Sequence, residues 1–246
     1  MTQPVNELFN NTEEIFNWTY PGATLYYKDC DLTASVIEQF EKDSIIRNGY
    51  FLDVSSKGAG IKFNTRFLIA SSKAARLYEI NPDNTRFGHC CINANSYFKI
   101  LDIYKLGGKT QIFLLHIPAK GVGYFNQVSS NMDEDFIKKA RVSFDNKINA
   151  EPLSDLLDPF WIKRTNFPVG MDAYNKFYSL STLSPVPKQG EPLFDGIRNL
   201  TGDTTDINIP TPFVEVQNSN QDSNTNQEKN PDQQKVKLWI RLFGKK

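Results

Sequence analysis

Positions Val5, Leu8, Phe9, Thr12, Ile15 and Phe16 recur at three- and four-residue spacing behind Pro4, and that period predicts an amphipathic helix ending before Pro21-Gly22. A short strand follows around residues 25–28. Asp31, Thr33 and Ser35 are alternative caps for a second helix, with Ser35 and Glu38 in a capping-box pattern and Val36, Ile37, Phe40 and Ile45 as its apolar stripe. Asn48-Gly49 is its predicted end. Residues 50–54 and 65–70 then read as strands joined by the loop at residues 55–60, and Ile61-Lys62-Phe63 reads as further strand.

Between Tyr97 and Ile117 two β-rich runs flank Gly107-Gly108, a pair that permits the positive φ values of a tight primed turn. A two-residue loop pairs Leu106 with Lys109, Ile103 with Ile112, Leu101 with Leu114 and Lys99 with His116. One face then holds Leu101, Ile103, Ile112 and Leu114; the other holds Phe98, Ile100, Tyr104, Phe113, Leu115 and Ile117. With both faces apolar, the hairpin is expected near the centre of a sheet covered on both sides. Ser129 and Ser130, then Asp133, Glu134 and Asp135, then Lys138, Lys139 and Arg141, match the dipole of a third helix that buries Phe136, Ile137, Ala140, Phe144 and Ile148. Shorter helical pieces are predicted at residues 153–157 and 173–180. The fold class that follows is α+β: a mixed, largely antiparallel sheet around the 97–117 hairpin, with helices on its faces, over residues 1–183.

Beyond residue 183 the pattern changes. Residues 184–216 are rich in proline and polar side chains and read as an extended segment, docked in part through Leu193, Phe194, Ile197, Ile207, Ile209, Phe213 and Val214. Residues 217–234 contain no apolar side chain, cannot bury enough surface to offset their ordering entropy, and are predicted to be a disordered linker. Charge follows the same division. The chain is neutral overall, with 28 basic and 28 acidic residues, but residues 184–234 carry three bases against eight acids, and residues 235–246 carry five bases and no acid. In that last peptide Val236, Trp239, Ile240 and Phe243 share one helical face, Leu238 and Leu242 widen it, and Lys237 and Arg241 lie opposite; as a strand the same residues also alternate. In length and composition the peptide resembles the C-terminal membrane-targeting helices of some bacterial division proteins.

Candidate chemistry is sparse. The two imidazoles, His89 and His116, with Cys90, Cys91 and Cys30, are the starting point for any metal or nucleophile. Paired zinc-ligand spacing is absent, so no metal is expected, and buried thiols in a reducing compartment are the simpler reading. A cysteine nucleophile would use Cys91 or Cys90 with His116 as base, so the catalytic candidates are His89, Cys91 and His116. Arg66, Ser71, Ser72 and Arg76, around a strand end with Lys73, are anion-binding candidates. Gly58-Ala59-Gly60 lacks the following helix of a phosphate loop and is read as serving backbone geometry. The neutral balance offers no basic stripe for nucleic acid. No run reaches the roughly 20 apolar residues of a membrane span, and the acidic N-terminus does not read as a secretory signal.

The function expected from these features is that of a non-enzymatic binding or adaptor protein. Its tethered peptide (Val236, Leu238, Trp239, Ile240, Arg241, Leu242 and Phe243) would dock onto a protein partner or an anionic membrane surface, giving a cytoplasmic protein held at the inner face of a membrane in the second case. No cofactor is expected. The alternative is a small-molecule or nucleotide-processing enzyme with a pocket near Arg66, Ser71, His89 and His116.

Overall fold

The computed structural model describes residues 4–127 and 132–204. Eight strands, β1 Thr24–Cys30, β2 Ile45–Asn48, β3 Leu52–Ser55, β4 Thr65–Ser71, β5 Ala74–Arg76, β6 His89–Ile92, β7 Ser96–Leu106 and β8 Lys109–Ile117, form one sheet in the order β2-β7-β8-β4-β1-β3-β6-β5. Only β4 and β8 run parallel; the other pairs are antiparallel. Seven helices accompany it among the described residues: α1 Pro4–Thr19, α2 Ala34–Ile37, α3 Leu77–Ile80, α4 Val122–Gln127, α5 Met132–Lys147, α6 Pro159–Thr165 and α7 Glu191–Thr201. The chain is thus α+β with a mixed, mostly antiparallel sheet, as its patterning predicts. None of these helices is long and apolar enough to cross a membrane.

Alternation along the strands produces two cores. Phe67, Ile69, Phe98, Ile100, Ile112 and Leu114 pack on one face with Val36 and Phe40 from the α2 region. Leu68, Ala70, Leu101, Phe113 and Leu115 pack on the other with Ile15 of α1, Val122 and Phe125 of α4, and Phe136 and Ala140 of α5. The β7–β8 hairpin therefore has both faces covered, and it occupies the second and third places in the sheet. Gly107 and Gly108 adopt φ of 56° and 76°, and Leu106 pairs with Lys109 and Ile103 with Ile112 as the two-residue turn requires. Past Ile103 the expected register fails. A bulge between Ile100 and Asp102 sets Ile100 opposite Leu114 and Phe98 opposite His116, moving Leu101 to the α5 face and Phe98 and Ile100 to the other.

Four further expectations are corrected. The second helix stops after one turn at Ile37; Asp43 turns the chain at φ 67°, and residues 45–48 form strand β2 against β7 with all four side chains buried, because β-branched Ile45 and Ile46 find a pairing edge there. Residues 173–180 are a tight turn instead of a helix. The Asp172 carboxylate accepts the N–H groups of Tyr174 and Lys176, Asn175 takes φ 58°, and Met171 bridges Phe177. The extended reading of residues 184–216 fails at Glu191–Thr201, which is helix α7: Pro192 sits in its first turn, Phe194 and Ile197 are buried, and Gly202 ends it in the left-handed region. Residues 61–63 belong to a loop, not a strand. The polar linker at 217–234 and the peptide at 235–246 lie outside the described residues, as does the rest of the segment beyond residue 204.

Candidate functional site

The sheet brings polar side chains together by register. Asp29 on β1 is paired with Arg66 on β4, and Arg66 with Gln111 on β8, so a charged and polar row crosses three adjacent strands within otherwise apolar runs. Tyr27 lies two residues before Asp29 and points to the same face. The Arg66 guanidinium forms a two-point ion pair with the Asp29 carboxylate, Nε donating to Oδ1 at 2.7 Å and Nη2 to Oδ2 at 2.6 Å, while Nη1 donates to the carbonyl of Ala59 at 2.9 Å. Its side chain is 2% exposed. Such a buried charge is tolerable only because its donors are matched.

Helix α5 covers this row without filling the space beneath it. Arg141 donates to both Asp102 oxygens at 2.8 and 2.7 Å, Phe144 meets Tyr104 edge-on, and Gln111 Nε2 donates to the Ala140 carbonyl at 3.2 Å. Thus anchored, the helix presents Lys139, Ser143 and Lys147, spaced four residues apart, on one stripe beside its buried one. A cavity of about 240 Å³ lies between helix and sheet, lined by Leu25, Tyr27, Arg66, Leu68, Gln111, Lys139, Ala140, Ser143, Phe144 and Lys147. Three of those side chains are cationic and none is a carboxylate. Lys147 Nζ donates to the Tyr27 hydroxyl at 3.3 Å and lies 4.7 Å from the ring centroid; the Arg66 guanidinium is 5.2 Å from the same centroid.

The glycine loop packs closely against Tyr27. A side chain at Gly58 would run into the Tyr27 ring, and one at Gly60 would run into the carbonyl of Ala150. These residues therefore serve backbone approach, as the missing helix after them implies, and the approach they allow fixes Tyr27.

The other candidates lie elsewhere. Ser71 Oγ and His116 Nδ1 share a hydrogen bond of 2.8 Å, and Ser71 also accepts the Lys73 N–H at 3.0 Å, but both side chains are fully buried. Burial, reinforced by the nearby Lys73 charge, pulls His116 down to about 3, so its ring is neutral at physiological pH. Ser72 donates to the Trp18 carbonyl, and Arg76, on edge strand β5, pairs with Glu79. His89 Nε2 and Asp53 Oδ1 share a 2.6 Å hydrogen bond, and Arg164 holds the other Asp53 oxygen at 2.9 Å. Cys91 faces Asp53 across β3 and β6; burial pushes its thiol well above the usual range, and Cys90 up to about 12, so neither is a thiolate at neutral pH. Strands β4, β1 and β3 stand between His89 and His116, about 19 Å at the usual strand spacing. Of Arg66, Ser71, His89 and His116, only Arg66 lines the cavity. Among the described residues, no three His, Cys, Asp or Glu side chains gather as a metal site.

No protein-family model matches the sequence, and no curated protein does. Among solved structures, the type III effector XopAI from Xanthomonas axonopodis pv. citri aligns at 12% identity and a TM-score of 0.35, over 41% of this chain and 46% of the effector. The ADP-ribosyltransferase HopU1 of Pseudomonas syringae pv. Tomato aligns at 16% identity and TM-score 0.34, over 39% and 45%. The ADP-ribosyltransferase Vis, a toxin from Vibrio splendidus, aligns at 13% identity and TM-score 0.35, over 42% and 52%. The aligned region thus spans about half of each of these chains. HopU1 and Vis are enzymes, and the expectation of a non-enzymatic adaptor is corrected on that finding; the peptide that motivated it lies outside the described residues.

Proposed function

We propose that this protein is an enzyme acting on a small phosphate-bearing molecule held between α5 and the Asp29–Arg66–Gln111 row. The observation that carries the reading is the 240 Å³ cavity whose charged lining, Arg66, Lys139 and Lys147, is wholly cationic. A partly enclosed site lined by cationic side chains favours an anion and strengthens each charge-assisted hydrogen bond made there. Arg66 is committed to Asp29, so Lys147, with one hydrogen bond to the Tyr27 hydroxyl at 3.3 Å and further N–H donors to offer, is the principal anion ligand. The volume falls just under the roughly 300 Å³ at which pockets for drug-sized ligands begin. It suits a compact phosphate ester, or the phosphate end of a nucleotide, better than a dinucleotide buried throughout.

Tyr27 is the group placed to transfer a proton. Its hydroxyl lies in the cavity wall, held by Lys147 from α5 and fixed from the far side by the close backbone of Gly58. Incubating the full chain with phosphate esters, nucleotides and NAD, and following ³¹P resonances, tests both halves of the reading. NAD belongs in the panel because HopU1 and Vis are ADP-ribosyltransferases. A phosphate compound should bind saturably and be converted; Lys147→Met should weaken binding by about 10- to 100-fold, the loss of one charge-assisted hydrogen bond, and Tyr27→Phe should stop conversion while leaving binding. Binding that is indifferent to Lys147, or absent for every compound in the panel, overturns the assignment.

A further inference from the structure

We infer that the ligand of this cavity carries, beside its phosphate, a hydroxyl or amino donor that Gln111 receives. The inference rests on the proposed reading of the cavity and adds its selectivity.

Gln111 is 3% exposed, yet it lines the cavity. Its amide nitrogen donates to the Ala140 carbonyl at 3.2 Å, and because a carbonyl oxygen only accepts, that contact fixes which end of the amide is nitrogen. The oxygen Oε1 is left as the other end; it has no hydrogen-bond partner among the described residues and is open to the cavity rather than sealed from solvent. An acceptor held in place on an otherwise buried residue and open to the cavity takes a water there, or a donor from a ligand that enters. Lysine and arginine side chains only donate, and Lys139, Lys147 and Arg66 therefore answer the anion but cannot answer a hydroxyl's proton. Gln111 supplies an acceptor that cannot also donate through the same atom, and Ser143, whose side chain also lines the cavity, offers a second polar contact from α5. A phosphate with a hydroxyl on a neighbouring carbon, as in a glycerol or sugar phosphate, matches this arrangement; an alkyl phosphate satisfies the cations and leaves Gln111 unmet.

Two probes of similar size separate these cases: glycerol 3-phosphate and n-propyl phosphate, titrated calorimetrically into the full chain. Glycerol 3-phosphate should bind roughly 2- to 10-fold more tightly, the range for one neutral hydrogen bond made in exchange for one to water. Gln111→Met should bring the two affinities together while propyl phosphate binding persists. Equal affinities in the wild-type chain overturn the inference and leave the phosphate site standing. Failure of both probes to bind removes the site and the inference with it. Should Gln111→Met not fold, the wild-type comparison still decides, and Ser143→Ala serves as a check: loss of the whole preference in that variant assigns the donor to Ser143 and overturns the role of Gln111.

Discussion

Acid should unfold this protein through His116. The ring lies between Phe98, stacked at 5.0 Å, and Trp18, edge-on at 5.0 Å, with Ser71 on Nδ1 and no partner on Nε2. Protonation in that setting would bury a charge near Lys73, which is why the folded ring titrates at about 3 while an unfolded histidine titrates near 6.5. Because the folded value is depressed, the unfolded chain binds more protons between these limits, and the stabilisation is complete above pH 6.5 and lost as pH falls toward 3. At pH 5 the unfolded ring lies about 1.5 pH units below its midpoint, a loss of about 2 kcal/mol, and about 3 kcal/mol is lost by pH 4. For a domain of this size, 2 kcal/mol lowers Tm by about 4–8 °C. Thermal and urea unfolding at pH 7.5, 6, 5 and 4 should show this excess loss in the wild-type chain and not in His116→Gln, which removes the titration. The variant should be less stable at pH 7.5, where it loses ring packing, and the two curves should converge as pH falls. Parallel curves, or an NMR titration placing folded His116 near 6.5, would refute the reasoning.

Other substitutions probe the walls of the cavity. Gly58→Ala drives a methyl group into the Tyr27 ring, so it should cost about 1–3 kcal/mol in urea unfolding and weaken phosphate binding as Tyr27 shifts. Asp29→Ala strands the Arg66 guanidinium, 2% exposed, without its carboxylate, and should cost roughly 3–5 kcal/mol in the same assay. Asp172→Ala removes the acceptor of two backbone N–H groups in the 171–177 turn and should cost about 1–2 kcal/mol, with phosphate binding unchanged because that turn lies away from the cavity.

Much of the framework was legible because local chemistry left one answer. Gly107-Gly108 between β-rich runs admits little but a tight hairpin, and the acid-to-base gradient with Phe136, Ala140 and Phe144 defines α5. Where both periods fit, the reading failed. A hairpin apolar on both faces gives no parity signal, so nothing in residues 97–103 announces the bulge that exchanges Leu101 with Phe98 and Ile100. Val36, Ile37, Phe40 and Ile45 fit a helix, but the pairing edge offered by β7 lies some fifty residues away and overrides the period. Arg66 stands among the anion-binding candidates grouped around a strand end, yet its Ser71 and Arg76 neighbours in sequence point to other places. The cavity joins β1, β4, β8 and α5, and no spacing motif connects Tyr27, Gln111 and Lys147. The one signal available was the row Lys139, Ser143 and Lys147 at four-residue steps, which resembles any solvated helix face until the sheet beneath it is known.

The proposed activity requires an anion seated between α5 and the sheet. A crystal soaked in tungstate, an electron-dense analogue of phosphate, locates that anion directly. An anomalous peak within hydrogen-bond reach of Lys147 Nζ in the cavity is predicted, and it should vanish in Lys147→Met crystals. A soaked crystal whose only peaks lie on the outer surface, with the cavity clear, would contradict it.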